Sequence, residues 1–120
     1  MLLIIQMELT MITSAKFSGE HVGQRLQNRL GVNIDPTKTY ILNLENAIYV
    51  QKYKHYIHNT TMIDYVVMLA KIPVVIAVDI ATGMVYSVMT EGKKVDICFK
   101  KAAVILQKLK RNDALTLALV

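Results

Sequence analysis

Three residues at intervals of four, His21, Arg25 and Arg29, stand in the stretch FSGEHVGQRLQNRLG. On an α-helix each step of four turns only ~40° past a full circle, so the three form one gently drifting stripe. It runs beside the apolar stripe of Val22, Leu26 and Leu30, where side chains can lie half buried under a sheet. Guanidinium groups there offer bidentate donors to phosphate, and an imidazole can exchange a proton near neutral pH. The plainer alternative is a solvated face whose cations pair with acids such as Glu20 and Glu45.

A second constellation comprises Lys52, Tyr53, Lys54, His55, Tyr56 and His58, which places two of the three histidines in one short run. His55 and His58 are spaced for a helix face, but the run holds no Asp or Glu and Cys98 is distant, so no metal and no other cofactor is expected. Phosphodiester chemistry suits these residue types better. Cleaving RNA through its own 2′-hydroxyl needs a base for that proton, cations around the crowded phosphorane, and an acid for the departing 5′-oxygen. Histidine, arginine, lysine and tyrosine supply all of these. The competing reading is an exposed amphipathic segment whose tyrosines pack while Lys and His stay wet.

No phosphate-binding loop, G-x-G-x-x-G, G-x-S-x-G or H-E-x-x-H pattern occurs. Asp64 and Asp79 read as turn caps or lysine partners. Cys98, the only cysteine, reads as inert filling and excludes an internal disulfide, which favours a reducing, cytoplasmic setting.

The chain of 120 residues fits one domain, 1–120, and with 53% hydrophobic and 19% charged residues it has enough apolar surface to fold. Its net charge of +5 favours polyanionic partners. The apolar start, MLLIIQMELTMI, carries Glu8 and no basic flank, and is too short for the ~18 residues of a membrane span. It reads as an edge strand over residues 2 to 12. Ser18 as N-cap, Glu20 in the first turn and Gly31 as C′ residue predict a helix over 19 to 30. Asp35-Pro36 and the spacing of Ile41, Leu44, Ala47 and Ile48 predict a second helix over 36 to 47. The Tyr-Lys-His run fits a strand, and MIDYVVML, VVIAVDI and MVYSVMT fit three more, with connections short enough for an antiparallel meander. Ala102, Ile105, Leu106 and Leu109 mark a C-terminal helix ringed by lysines. The expected architecture is therefore α+β: two N-terminal helices, a four-stranded antiparallel meander and a C-terminal helix, with an extra N-terminal edge strand.

In that order of parts, E-H-V-G-Q-R-L-Q-N-R-L-G, a helix opened by D-P, and I-P-V-V-I-A-V-D-I-A-T-G-M-V-Y-S-V-M-T resemble small ribonuclease-toxin-like proteins of the barnase-colicin-RelE type fold, the RelE/ParE-like group. One branch of that group has an H-x-x-x-R-x-x-x-R helix before a meander ending V-V-x-D-x-x-T-G-x-V-x-T-V, and phage early endoribonucleases related to RelE are similar. The resemblance spans residues 15 to 90. It implies catalytic roles for His21 and Arg25, a secondary role for Arg29, and a match of Ser87 to the final-strand Thr. Together with the residue chemistry, the expectation is a metal-independent endoribonuclease, toxin-like or mRNA-degrading. His21, Arg25, His55 and His58 are its catalytic candidates, and Arg29, Lys52, Lys54, Tyr53 and Ser87 its RNA-binding ones. A protein inhibitor or antitoxin would accompany a toxin, and apolar Leu3 to Ile5 or Leu115 to Val120 would suit a homodimer. The alternative is a non-catalytic nucleic-acid- or protein-binding accessory module of a phage or mobile element.

Overall fold

The computed structural model describes residues 13 to 119. Their order is β1 (Ser14–Ser18), a π-helical turn (Gly19–Gly23) running into α1 (Gln24–Leu30), β2 (Thr39–Asn43), β3 (Ile48–Lys54), β4 (Thr61–Leu69), β5 (Ile72–Asp79), β6 (Val85–Met89) and α2 (Lys93–Leu119). β1 and β2 pair antiparallel as a two-stranded sheet, and β3-β4-β5-β6 form a four-stranded antiparallel sheet in sequence order.

This corrects the expected architecture. The described chain opens strand, helix, strand, and there is no second N-terminal helix: residues 36 to 47 form a turn and β2. The Asp35-Pro36 signal belongs to the turn, where the Asp35 carboxylate accepts from the backbone N–H and hydroxyl of Thr37 at 2.9 and 2.7 Å. Those bonds hold the Asp35 carboxyl below the ordinary carboxylate range. After the turn the burial period is two, with Tyr40, Leu42 and Leu44 inward while Ile41 is 72% exposed. A helical reading would have buried Ile41. The edge strand expected over residues 2 to 12 lies outside the described residues.

Ser18 caps the helical segment, accepting from Glu20 N–H at 3.2 Å, and Gly31 ends it at φ 69°. Gly19 N–H donates to Lys38 O at 2.9 Å, so the 35–38 turn rests directly on the first helical residue. A Cβ on Gly19 would stand 2.1 Å from Asp35 O and 2.9 Å from Lys38 O. Backbone carbonyls cannot swing aside as side chains do. Gly19→Ala is therefore expected to cost about 3 kcal/mol, at the upper end of overpacking. Gly31→Ala, which meets nothing within 4 Å, should cost only the ~1 kcal/mol of a left-handed residue. Urea midpoints at constant m value check the pair.

Alternation along the strands gives the large sheet two covered faces. On one, Ile63, Tyr65, Val67, Val74, Ile76, Val78, Val85 and Val88 pack with Ala15, Phe17, Val22, Leu26, Ile34 and Leu44 of the N-terminal strands and helix. On the other, Val75 packs with Val95 and Cys98 of α2, joined by Val50, Val66, Met89 and Phe99. The central strand β5 is buried on both sides, Val74 to Val78 being at most 1% exposed, which is why its sequence is a continuous apolar run.

Candidate functional site

The link between β3 and β4 is a short loop closed by its own backbone. His55 N–H donates to Thr60 O and Asn59 N–H to His55 O, both at 2.8 Å, with Asn59 at φ 53°. This closure gathers the rings. His55 and His58 stack at 4.9 Å between centroids, and His55 lies parallel to Tyr56 at 5.7 Å with 4° between planes. His58 N–H points at His55 Nδ1 at 3.4 Å, which in the neutral ring leaves the proton on Nε2.

Tyr86 arrives from β6. The β5–β6 register slips between Ala77 and Val78, so Tyr86 is the extra residue between the pairs Val78–Val85 and Ala77–Ser87. A bulge of this kind turns a side chain out of the ladder. Tyr86 thereby reaches the loop: its hydroxyl lies 3.1 Å from His58 Nε2, and its ring is 5.4 Å from that of His55. A cleft of about 260 Å³ opens there, lined by Tyr53 to Tyr56, by Tyr86 and Ser87, and by Lys94 of α2.

Against this cleft lies an ionic network built around one buried carboxylate. Asp64, in the middle of β4, is 0% exposed. Its carboxylate accepts from Gln51 Nε2 at 2.7 Å and from the Tyr53 hydroxyl at 3.3 Å, and faces Lys94 Nζ at 3.2 Å. Lys94 also donates to the Tyr53 hydroxyl at 2.8 Å, and Lys101 holds the Gln51 carbonyl oxygen at 2.8 Å. The Tyr53 hydroxyl thus donates to Asp64 while accepting from Lys94, and all five groups are partnered together.

Burial lifts the Tyr53 phenol above its ordinary range against the opposing Lys94 hydrogen bond. For Lys94, burial pulls downward, but the Tyr53 hydrogen bond and the Asp64 charge outweigh it, and the ammonium ends above its ordinary value. Burial likewise lifts the Cys98 thiol above 9.0 and the Tyr65 phenol above 10.0. All four groups hold their protons more tightly folded than unfolded, so the folded chain binds more protons in the alkaline range and its stability falls as pH rises. Stability is expected to be fully retained from these groups below pH 9.0 and to decline above it, and Tyr53→Phe should flatten the decline above 10.0. Urea unfolding below pH 9.0, between 9.0 and 10.0, and above 10.0 measures the slope.

The structure brings together His55, His58, Tyr53, Lys54 and Ser87 of the sequence candidates. It does not bring in the helix. His21 and Arg25 are exposed, with no side-chain hydrogen bond or ion pair among the described residues. Arg29 donates to Val88 O and stands with Met89, Thr90 and Glu91 at the far end of β6. The ridge does not lie half buried under the sheet: α1 docks through Val22 and Leu26 on one face, and α2 covers the other, where the cleft lies. Lys52 pairs in register with Ile63, on the α1 side of the sheet, whereas Tyr53 faces α2. Among the described residues no group of three or more His, Cys, Asp or Glu could hold a metal ion, and no helix is long and apolar enough to cross a membrane.

No protein-family model, curated protein or solved structure matches this chain.

Lys94, Tyr86, Gln51 and Asp64 complete the site without having been sequence candidates for it. Gly92-Lys93-Lys94 looks like any solvated helix start, and nothing local reveals that the second lysine reaches across to β3 and β4. The bulge that redirects Tyr86 leaves no mark in the composition of β6.

Proposed function

We propose that this domain is a metal-independent endoribonuclease working at the hairpin cleft, with His55 and His58 as its acid and base. The observation that carries the reading is the pair of stacked imidazoles: His55 lines a cleft together with Lys54 and Lys94, and His58 stands beside it, bonded to the Tyr86 hydroxyl. One neutral ring would take the proton of the ribose 2′-hydroxyl while the protonated ring gives its proton to the departing 5′-oxygen. The 2′-oxygen then bonds to phosphorus as the 5′-oxygen leaves, giving a 2′,3′-cyclic phosphate and a 5′-hydroxyl. The lysine ammonium groups and the Ser87 hydroxyl would stabilise the extra negative charge on the phosphorane. The reading rests on the chemistry of this cleft and the net charge of +5, not on the family resemblance. A lone, buried Cys98 suits a reducing, cytoplasmic setting for it.

The test is a labelled mixed-sequence oligoribonucleotide in excess chelator. Cleavage is expected, and the matched oligodeoxyribonucleotide should be bound but left intact because it lacks the attacking hydroxyl. Intact RNA, bound with steep salt dependence, would instead make the domain a non-catalytic nucleic-acid-binding module.

A further inference from the structure

The outermost ring of the hairpin is 90% exposed: Tyr56 packs on no core and keeps its face available to a ligand. It continues a ladder of rings in the order Tyr56, His55, His58, with the first two only 4° from parallel. The loop carrying them is tied by the backbone hydrogen bonds from His55 to Thr60 and from Asn59 to His55, so its backbone is set before anything binds. Lys54 and Lys94 line the cleft directly beside them, and among the described residues no carboxylate does.

We propose that the hairpin tip is a stacking platform for one unpaired RNA base, with Tyr56 as its outer ring, which restricts the cleft to single-stranded RNA. This rests on the reading that the cleft takes RNA, and it names the substrate class. Every base has a π face that can continue a ring ladder, while the lysines meet the adjoining phosphate. In a duplex every base except those of the terminal pairs is covered on both faces, so internal duplex RNA cannot occupy the platform. The arrangement reads the absence of pairing rather than a base sequence, because ring stacking carries no hydrogen-bond code.

The decisive experiment measures binding apart from cleavage, by fluorescence anisotropy with a 2′-O-methyl oligonucleotide that cannot be cut. Wild type and Tyr56→Phe should bind the single strand equally, since phenylalanine keeps the ring. Tyr56→Ala and Tyr56→Leu should bind about tenfold more weakly, the loss expected for one base–ring stack. A fully paired duplex of the same sequence should bind as weakly as Tyr56→Ala binds the single strand. Equal binding of the single strand by wild type and Tyr56→Ala overturns the platform, as does equal binding of duplex and single strand by wild type or no binding of the single strand at all. If the strand binds in a Tyr56-dependent way but natural RNA is never cut, the endoribonuclease reading fails and the platform stands. If RNA is cut and Tyr56→Ala binds and cuts like wild type, the platform alone falls.

Discussion

Alanine at His58 is expected to slow RNA cleavage by about 10²- to 10⁴-fold, the range for removing a positioned acid or base. The same holds for His55→Ala. Because the two rings act on one proton-transfer cycle, the double variant should be about as slow as the slower single one, not slower by the product of the two effects. Tyr86→Phe removes the hydroxyl 3.1 Å from His58 Nε2 but keeps the ring, so it should lower the rate less, by about the tenfold that one lost hydrogen bond of ~1.4 kcal/mol represents. His21→Ala and Arg25→Ala should leave the rate at the wild-type level, since both residues are exposed on a helix packed against the opposite face of the sheet. Single-turnover rates check the set.

Lys94→Met should destabilise the fold more than Asp64→Asn does, although Lys94 is the more exposed partner. The reason is asymmetry of burial: the side chain of Lys94 is 40% exposed and that of Asp64 is 0%. Without Asp64, the ammonium turns to water at little cost. Without Lys94, the carboxylate stays enclosed with only the Gln51 and Tyr53 donors, and an uncompensated buried charge costs about 3 kcal/mol. Asp64→Asn keeps an acceptor and should cost about 1 kcal/mol, the value of one hydrogen bond. The double variant should be more stable than Lys94→Met alone, because it removes the stranded charge. A double-mutant cycle by urea unfolding measures this. A Lys94→Met protein as stable as wild type would mean the ion pair does not hold α2 to the sheet.

The strands and helix stops that were legible in the sequence share one physical property: their signal is local. The β-branched runs of β4 and β5, Ser18 as cap and Gly31 as left-handed terminator each act within a few residues. The misread segment is the one where two local signals disagree. Asp35-Pro36 opens helices and turns equally well, and Tyr40 to Ile48 satisfies both a helical and a strand period until one knows that β1 is there to pair with it. Pairing Phe17 with Tyr40, whose rings stack at 5.3 Å, decides it. Similarly, the arginine ridge looked like the centre of a site because of its four-residue spacing and the helix motif it resembles. α2 covers the sheet face opposite the ridge, and the cleft forms where α2 begins instead. The His-rich hairpin was legible as a group of residues, but not its completion by Tyr86 and Lys94, which depends on a bulge and a helix start brought from 28 and 36 or more residues away along the chain from His58.

The most direct measurement is mass spectrometry of the ends left on a single-stranded oligoribonucleotide after incubation with the purified protein in chelator. Fragments with 2′,3′-cyclic phosphate and 5′-hydroxyl ends, formed about 10²- to 10⁴-fold more slowly by His55→Ala and His58→Ala, are predicted. Intact RNA, or cleavage by both histidine variants at the wild-type rate, would contradict an endoribonuclease site at the hairpin cleft.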